Sequence, residues 1–357
     1  TVMRNLRGTV CFLPLLARAH CAFSPSVLVT DGLAPAALNA LRAGGATVTE
    51  KFLQRSELEA GALAEYDGVI VRSATTITES AIAAGAAGRL RALGRAGVGV
   101  DNLDLHAATE HGLWVLNTPS ASTASVVELT LAHLLAAVRA LPAADRGLRE
   151  GLWLKPPATG SRVGSELAGK ELGLLGFGRI AQGVARAAGA LGMRVSAYSP
   201  RASVDAAASL DVTLVPDVES LFRRCTHVSV HCALTPETQH LVGRDLLGLM
   251  PANGADGSTC GRHLVNVARG GIVDEAAVAE ALHAGVLLSY ATDVFEQEPM
   301  PADHPLLLSP GFIGSPHIGG VTGEAQDRVG LQLVEALLAA LDGHTPGDGV
   351  VCAPHTV

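Results

Sequence analysis

Short apolar runs at residues 27–30, 47–49, 68–71 and 90–96 predict β-strands. The stretches 34–43 and 78–84 carry apolar residues every three or four positions and predict helices between them; each begins near a Pro or Thr suited to a first turn. A long helical pattern covers 123–141, and 141–169 reads as a polar connection containing Pro, Gly and Trp153. A strand-like run then leads into Gly176, a helical pattern leaves it, and a second strand follows at 193–198. Further short strands are predicted at 212–215, 227–231, 264–267, 288–292 and 312–314, with helices at 217–223, 244–249 and 274–284. Residues 253–262 read as a polar surface loop. The last long helical pattern, 322–341, is expected to return the chain to the first unit, because the residues after it are too few for a core. Strand alternating with helix predicts an α/β protein whose parallel sheets are covered on both faces.

At 357 residues the chain can build two separate cores. A formal charge of −8 and a pI near 5.9 argue against a nucleic-acid or anionic-membrane surface, and no apolar run is long enough to span a bilayer. The six cysteines form no C-x-x-C pair and no zinc-finger spacing, so reduced thiols and no structural metal are expected. Residues 1–25 are set apart from the fold. They carry Arg4, Arg7 and Arg18, no acid and an apolar patch, a composition that resembles a targeting segment for a plastid or mitochondrion. The alternatives are an unstructured extension or an incomplete gene start, with a cytoplasmic protein.

The sequence from Glu171 to Arg201 carries the first candidate chemistry. Strand, glycine turn, helix and strand follow in register as a βαβ unit of the dinucleotide-binding type. Gly176 would allow the tight turn, and Gly178 would let the backbone approach a pyrophosphate seated on the free N–H groups of the helix start. An acidic residue at the end of the second strand would bind a ribose 2′-hydroxyl, but Ser199 stands there, with Arg201 just beyond. That pair suits a 2′-phosphate; Arg201 as a solvated loop residue is an equal alternative. NAD and NADP both remain open as the cofactor.

Arg72 follows a predicted strand, and Arg95 lies in a second, glycine-rich strand exit, Gly94 to Asn102. Either arginine alone reads as a surface ion pair, but two at strand exits point to an anionic substrate. Three more exits carry Arg269 in a glycine turn, the acids Asp293, Glu296 and Glu298, and His317 between Pro316 and Gly319-Gly320. A guanidinium to grip a carboxylate, an imidazole to move a hydroxyl proton and a carboxylate to orient that imidazole suit hydride transfer at a 2-hydroxy acid. Singly these residues read as a capping histidine, a structural arginine and solvated acids.

At these residues the sequence resembles the D-isomer-specific 2-hydroxyacid dehydrogenases, through VRSAT, GRAGVGVDNLDLHAAT, NTPS, VVELTLAHLL, the glycine fingerprint, NVARGGIVDE, ATDVFEQEP and SPHIGG. The resemblance implies two Rossmann-like, doubly wound parallel-sheet domains joined by two long helices. A nucleotide domain (121–320) would be inserted into a substrate domain (26–120 and 321–357). It implies Arg269, Glu298 and His317 as the catalytic set, with Arg72, Arg95, Val98 and Gly99 around substrate. Arg179, Ile180, Cys232, Ala268, Asp293 and Gly319 would approach the cofactor, and the chain would pair as a homodimer. Ser199 departs from the Asp usual in the family. Within the family, 3-phosphoglycerate oxidation, NADPH-dependent reduction of glyoxylate or hydroxypyruvate, and a non-enzymatic NAD(H)-sensing scaffold remain open.

Overall fold

The computed structural model describes residues 24–156 and 163–354, so the targeting-segment expectation for residues 1–25 lies almost wholly outside the described residues. In chain order the first unit runs β1 (Ser26–Val29), α1 (Pro35–Ala43), β2 (Thr47–Glu50), α2 (Arg55–Glu59), β3 (Gly68–Val71), α3 (Glu79–Ala86), β4 (Ala92–Arg95), α4 (Leu105–Glu110) and β5 (Trp114–Leu116). The chain then crosses through α5 (Thr123–Arg139) and α6 (Leu141–Arg149). A second unit follows with β6 (Glu171–Leu175), α7 (Arg179–Ala190), β7 (Arg194–Tyr198), α8 (Val204–Ser209), β8 (Val212–Leu214), α9 (Val218–Arg224), β9 (His227–Val230) and α10 (Arg244–Leu249). It ends with β10 (His263–Asn266), α11 (Glu275–His283), β11 (Ser289–Thr292) and β12 (Phe312–Gly314), after which α12 (Gly323–Leu341) and β13 (Val350–Cys352) complete the chain.

Two sheets result. The first has the order β13-β5-β4-β3-β1-β2, parallel except for β13. The second, β12-β11-β10-β9-β6-β7-β8, is parallel throughout. Each has one apolar core on either face, as expected of strands buried on both sides. The order of the first reverses between β1 and β3, that of the second between β6 and β9. Ligands of open α/β sheets bind at such switch points, outside the carboxyl ends of the strands.

The two crossovers bring those ends together. α5 packs in the second unit against α7, β10 and β11, although it leaves directly from β5. α12 goes the other way: Leu333, Leu337 and Leu341 seat in the first core against α1 and the sheet, where Gly94 of β4 and Gly68 of β3 leave room for them. One expectation changes. The stretch after residue 141 begins with a helix, α6, because Pro142 sits in its first turn, where a missing N–H costs nothing. The residues after α12 supply β13, which pairs antiparallel with the edge strand β5. Among the described residues no single helix is long and apolar enough to cross a membrane.

Candidate active site

On the first sheet, the Asp31 carboxylate beyond β1 accepts Arg72 N at 2.7 Å and Thr75 N at 3.1 Å, while Asn102 Nδ2 donates to the carbonyls of Arg72 (2.7 Å) and Thr75 (2.6 Å). The loop carrying Arg72 is thereby fixed. Arg95 ends β4, its Nε buried and unpartnered and its Nη1 3.4 Å from the Ala96 carbonyl. Burial, then the neighbouring Arg269 and Arg72 charges, lower its pKa to about 10, which leaves it cationic near neutral pH. Gly97, at φ 150°, holds a backbone conformation that favours glycine, and a Cβ there would also push on the Arg95 guanidinium. Asn117 Nδ2 holds the Val98 carbonyl at 2.6 Å.

On the second sheet, Gly176 has φ 102°, and a Cβ there would lie 2.6 Å from the His231 carbonyl oxygen. Gly178 precedes α7 with no side-chain cap on the helix start and no atom within 4 Å of where its Cβ would be. That open approach to the free N–H groups of a helix start fits a dinucleotide pyrophosphate. Gly176 N donates to the Tyr198 carbonyl at 2.8 Å, which places Ser199 beside the glycine turn; Arg201, two residues on, is exposed.

Asn266 shapes the turn after β10, donating to the Arg269 carbonyl (2.9 Å) and accepting Ala268 N (3.0 Å). Arg269 Nη1 donates to the Ala268 carbonyl at 2.8 Å and Nε to Asp101 Oδ1 at 3.2 Å. Burial opposes ionisation of Asp101, but the Arg269 and Arg95 charges and its hydrogen bonds hold its carboxyl below the usual range. His317 Nδ1 lies 2.7 Å from Glu298 Oε2, and Glu298 Oε1 accepts Phe295 N at 3.0 Å. Burial raises the Glu298 pKa, yet the bonds from His317 and Phe295 and the Arg269 charge outweigh it and lower the carboxyl below its ordinary value. The His317 backbone is left-handed, at φ 53°. Non-glycine residues are uncommon there.

One cleft of about 510 Å³ between the sheets takes in Arg72, Arg95, Val98, Gly99, Ile180, Cys232, Ala268, Arg269, Asp293, His317 and Gly319. Burial pushes the Cys232 thiol up to about 11, so it is a neutral wall. Glu298 stands behind His317. Gly176, Gly178, Ser199 and Arg201 lie along the β6–β7 end, outside that cleft, and Arg179 borders a separate depression with Arg186 and Arg328. The three acids beyond β11 separate: Glu296 turns to His240 (3.0 Å) and Glu275, Asp293 accepts Ile318 N and Gly319 N, and Glu298 meets His317. Asp101 and Asp31 were not singled out in the sequence. Asp101 stands inside the GVGVDN motif, a signal that could have found it, whereas nothing local marks Asp31. Among the described residues no group of three His, Cys, Asp or Glu side chains could hold a metal ion.

Two doubly wound sheets facing each other across a cleft, with a glycine-turn nucleotide cradle on one, define a two-unit α/β protein of dinucleotide-binding type. Residues 131–319 match the profile of the D-isomer specific 2-hydroxyacid dehydrogenase NAD binding domain. The chain is 36% identical to the TT0316 protein of Thermus thermophilus, whose crystal structure superposes with a TM-score of 0.81 over 91% of this chain and 99% of that one. It is 40% identical to D-3-phosphoglycerate dehydrogenase of Methanocaldococcus jannaschii over 92% of this chain and 60% of the relative. It is 38% identical to the chloroplastic D-3-phosphoglycerate dehydrogenase 2 of Arabidopsis thaliana over 91% of this chain and 50% of the relative. The chain thus spans between half and three fifths of these curated relatives. It belongs to the D-isomer specific 2-hydroxyacid dehydrogenase family and carries that family's NAD-binding domain.

Proposed function

We propose that this protein interconverts 3-phosphoglycerate and 3-phosphohydroxypyruvate with a nicotinamide dinucleotide, residues 121–320 holding the nucleotide and residues 26–120 with 321–357 the substrate. The observation that carries the reading is the His317–Glu298 pair at 2.7 Å in a cleft shared with Arg269, Arg72 and Arg95. Glu298, with its carboxyl below the ordinary range, accepts hydrogen bonds at neutral pH. His317 Nδ1 therefore carries the proton and Nε2 is left as the base. Nε2 takes the substrate hydroxyl proton, and the Glu298 carboxylate stabilises the imidazolium that forms. Arg269 grips the carboxylate with two parallel bonds, taking over from Asp101. Arg72 and Arg95 supply cationic charge for the phosphate end; a substrate with two anionic groups answers three arginines better than one with a single carboxylate. Bound nicotinamide dinucleotide would supply the hydride acceptor. Gly176, Gly178, Ile180, Cys232, Ala268, Asp293 and Gly319 would line its path, with Ser199 and Arg201 at the adenosine ribose.

Ser199 and Arg201 favour a second reading, NADPH-dependent reduction of glyoxylate or hydroxypyruvate, because Ser199 stands where a ribose-binding acid would at the end of β7. Steady-state rates with 3-phosphoglycerate plus NAD, and with hydroxypyruvate plus NADPH, separate the two. Faster turnover of the second pair would reject the first reading, and no turnover of any 2-hydroxy or 2-keto acid would leave only a nucleotide-sensing scaffold. A homodimer is supported by Leu141, Leu148, Leu152 and Trp153, exposed close together on α6 and just beyond it, Trp153 by 74%. Sedimentation of L148E with W153S should give a monomer. The acid-free composition of residues 1–25 supports delivery to an organelle, tested by fusing them to a fluorescent protein.

A further inference from the structure

The loop that presents His317 is anchored on its inner side by a part-buried hydrogen-bond chain. Asp293, just beyond β11, accepts three donors: Ser315 Oγ on Oδ1 at 2.6 Å, Ile318 N on Oδ1 at 2.8 Å and Gly319 N on Oδ2 at 2.7 Å. Ser315 has one hydroxyl proton, and it is committed to that carboxylate. Its oxygen must therefore accept from the other neighbour, His133 Nε2, 2.8 Å away. His133 accordingly carries its proton on Nε2. Burial lowers its pKa, with Asp293 pulling the opposite way, so the ring is neutral near pH 7 and Nε2–H serves as a donor.

His133 is buried in the middle of α5, among Val126, Thr130, Leu134 and Ala137. An imidazole on that apolar face costs desolvation that a leucine would not, and the bond to Ser315 offsets it. α5 is a firm mount, packed on α7, β10 and β11. The loop it holds is the second crossover between the sheets. Its far end is tied to the same helix by Ser125 and Thr322, whose hydroxyl oxygens are 2.8 Å apart. Between these two ties the chain passes through the left-handed residue His317.

We propose that His133 is a positioning residue for His317: through Ser315 and Asp293 it fixes the loop from which the imidazole reaches the cleft. This rests on His317 being the proton carrier. The test uses the full chain with H133L, H133Q, S315A and the H133L/S315A double variant. It reads kcat and KM, and hydrogen exchange of a peptide spanning 315–321 in the ligand-free protein. H133L should lower kcat on the order of tenfold, with faster exchange in that peptide. H133Q, which keeps an N–H within reach of Ser315, should recover most of both. The double variant should be no slower than the slower single one, because both break one chain. Unchanged kcat and exchange in H133L would overturn the proposal, as would equal loss in H133L and H133Q or additive losses in the double variant. If the His133 variants do not fold, S315A decides by exchange alone: faster exchange over 315–321 supports the chain and unchanged exchange rejects it. A wild-type protein that turns over no 2-hydroxy or 2-keto acid defeats the functional reading instead, while the exchange result still judges the loop.

Discussion

At the scale of single residues the site depends on side chains that are absent as much as on those present. A Cβ on Gly99 would overlap the Arg269 guanidinium and lie 2.6 Å from Asp101 Oδ1. Both obstacles are ends of flexible side chains, so Gly99→Ala should displace Arg269 and spare the fold. KM for the 2-hydroxy acid is expected to rise about tenfold, the effect of roughly 1.4 kcal/mol of lost carboxylate binding, with an unchanged melting temperature; a lowered melting temperature at normal KM would place the strain in the backbone. Glu298 makes a second residue-scale prediction. Its carboxyl is held below its ordinary value in the fold, so its contribution to stability is present above the unfolded value, near pH 4.3. That contribution is lost as pH falls through the lower folded value. Acid unfolding curves of Glu298→Gln should therefore run closer to flat across this interval than those of the parent, and parallel curves would show that the pair with His317 does not favour the folded state.

At the scale of elements, α12 shows what holds the return crossover. Leu337 is fully buried in the first core, where Trp114 also packs. Leu337→Ala should cost about 2–5 kcal/mol, as large-to-small core changes do, and lower the urea midpoint read from Trp114 fluorescence. A shift below about 1 kcal/mol would mean the helix is held elsewhere. α12 and the β6–α7 unit were legible from sequence because their side-chain periods are local and their ends carry turn residues. α6 was hidden by Pro142 and Gly147, which read as a connection although the first is in a helix's first turn. β13 was hidden because three residues gain strand character only by pairing with β5, far away in the sequence. The site divides the same way. Arg269, Glu298 and His317 each stand in a glycine- or proline-bounded strand exit and could be read directly. The sorting of Asp293, Glu296 and Glu298 could not, because it depends on His240, Glu275 and the loop at Ile318, which only folding brings near.

At the scale of the whole molecule, the cleft is bounded by two sheets that meet through two crossovers, and the Asp101–Arg269 ion pair reaches across it. Asp101 comes from beyond β4, and Arg269, from beyond β10, is 168 residues away in sequence. Asp101 is 71% exposed, so the pair is worth no more than roughly 1 kcal/mol. A substrate carboxylate offering two parallel bonds to the same guanidinium is the stronger partner. Under the proposed reaction Asp101 is a weak stand-in that the substrate carboxylate displaces, while the bond from Arg269 Nη1 to the Ala268 carbonyl holds the guanidinium in the cleft. Asp101→Asn removes the competing charge and leaves that second bond intact. KM for the 2-hydroxy acid should then fall by up to about fivefold, the factor corresponding to 1 kcal/mol, at nearly unchanged kcat, and the effect should shrink as added salt screens the exposed pair in the parent. A rise in KM would mean that Asp101 holds Arg269 in place for substrate instead of competing with it. The contact across the cleft would then be a brace between the two units that survives binding.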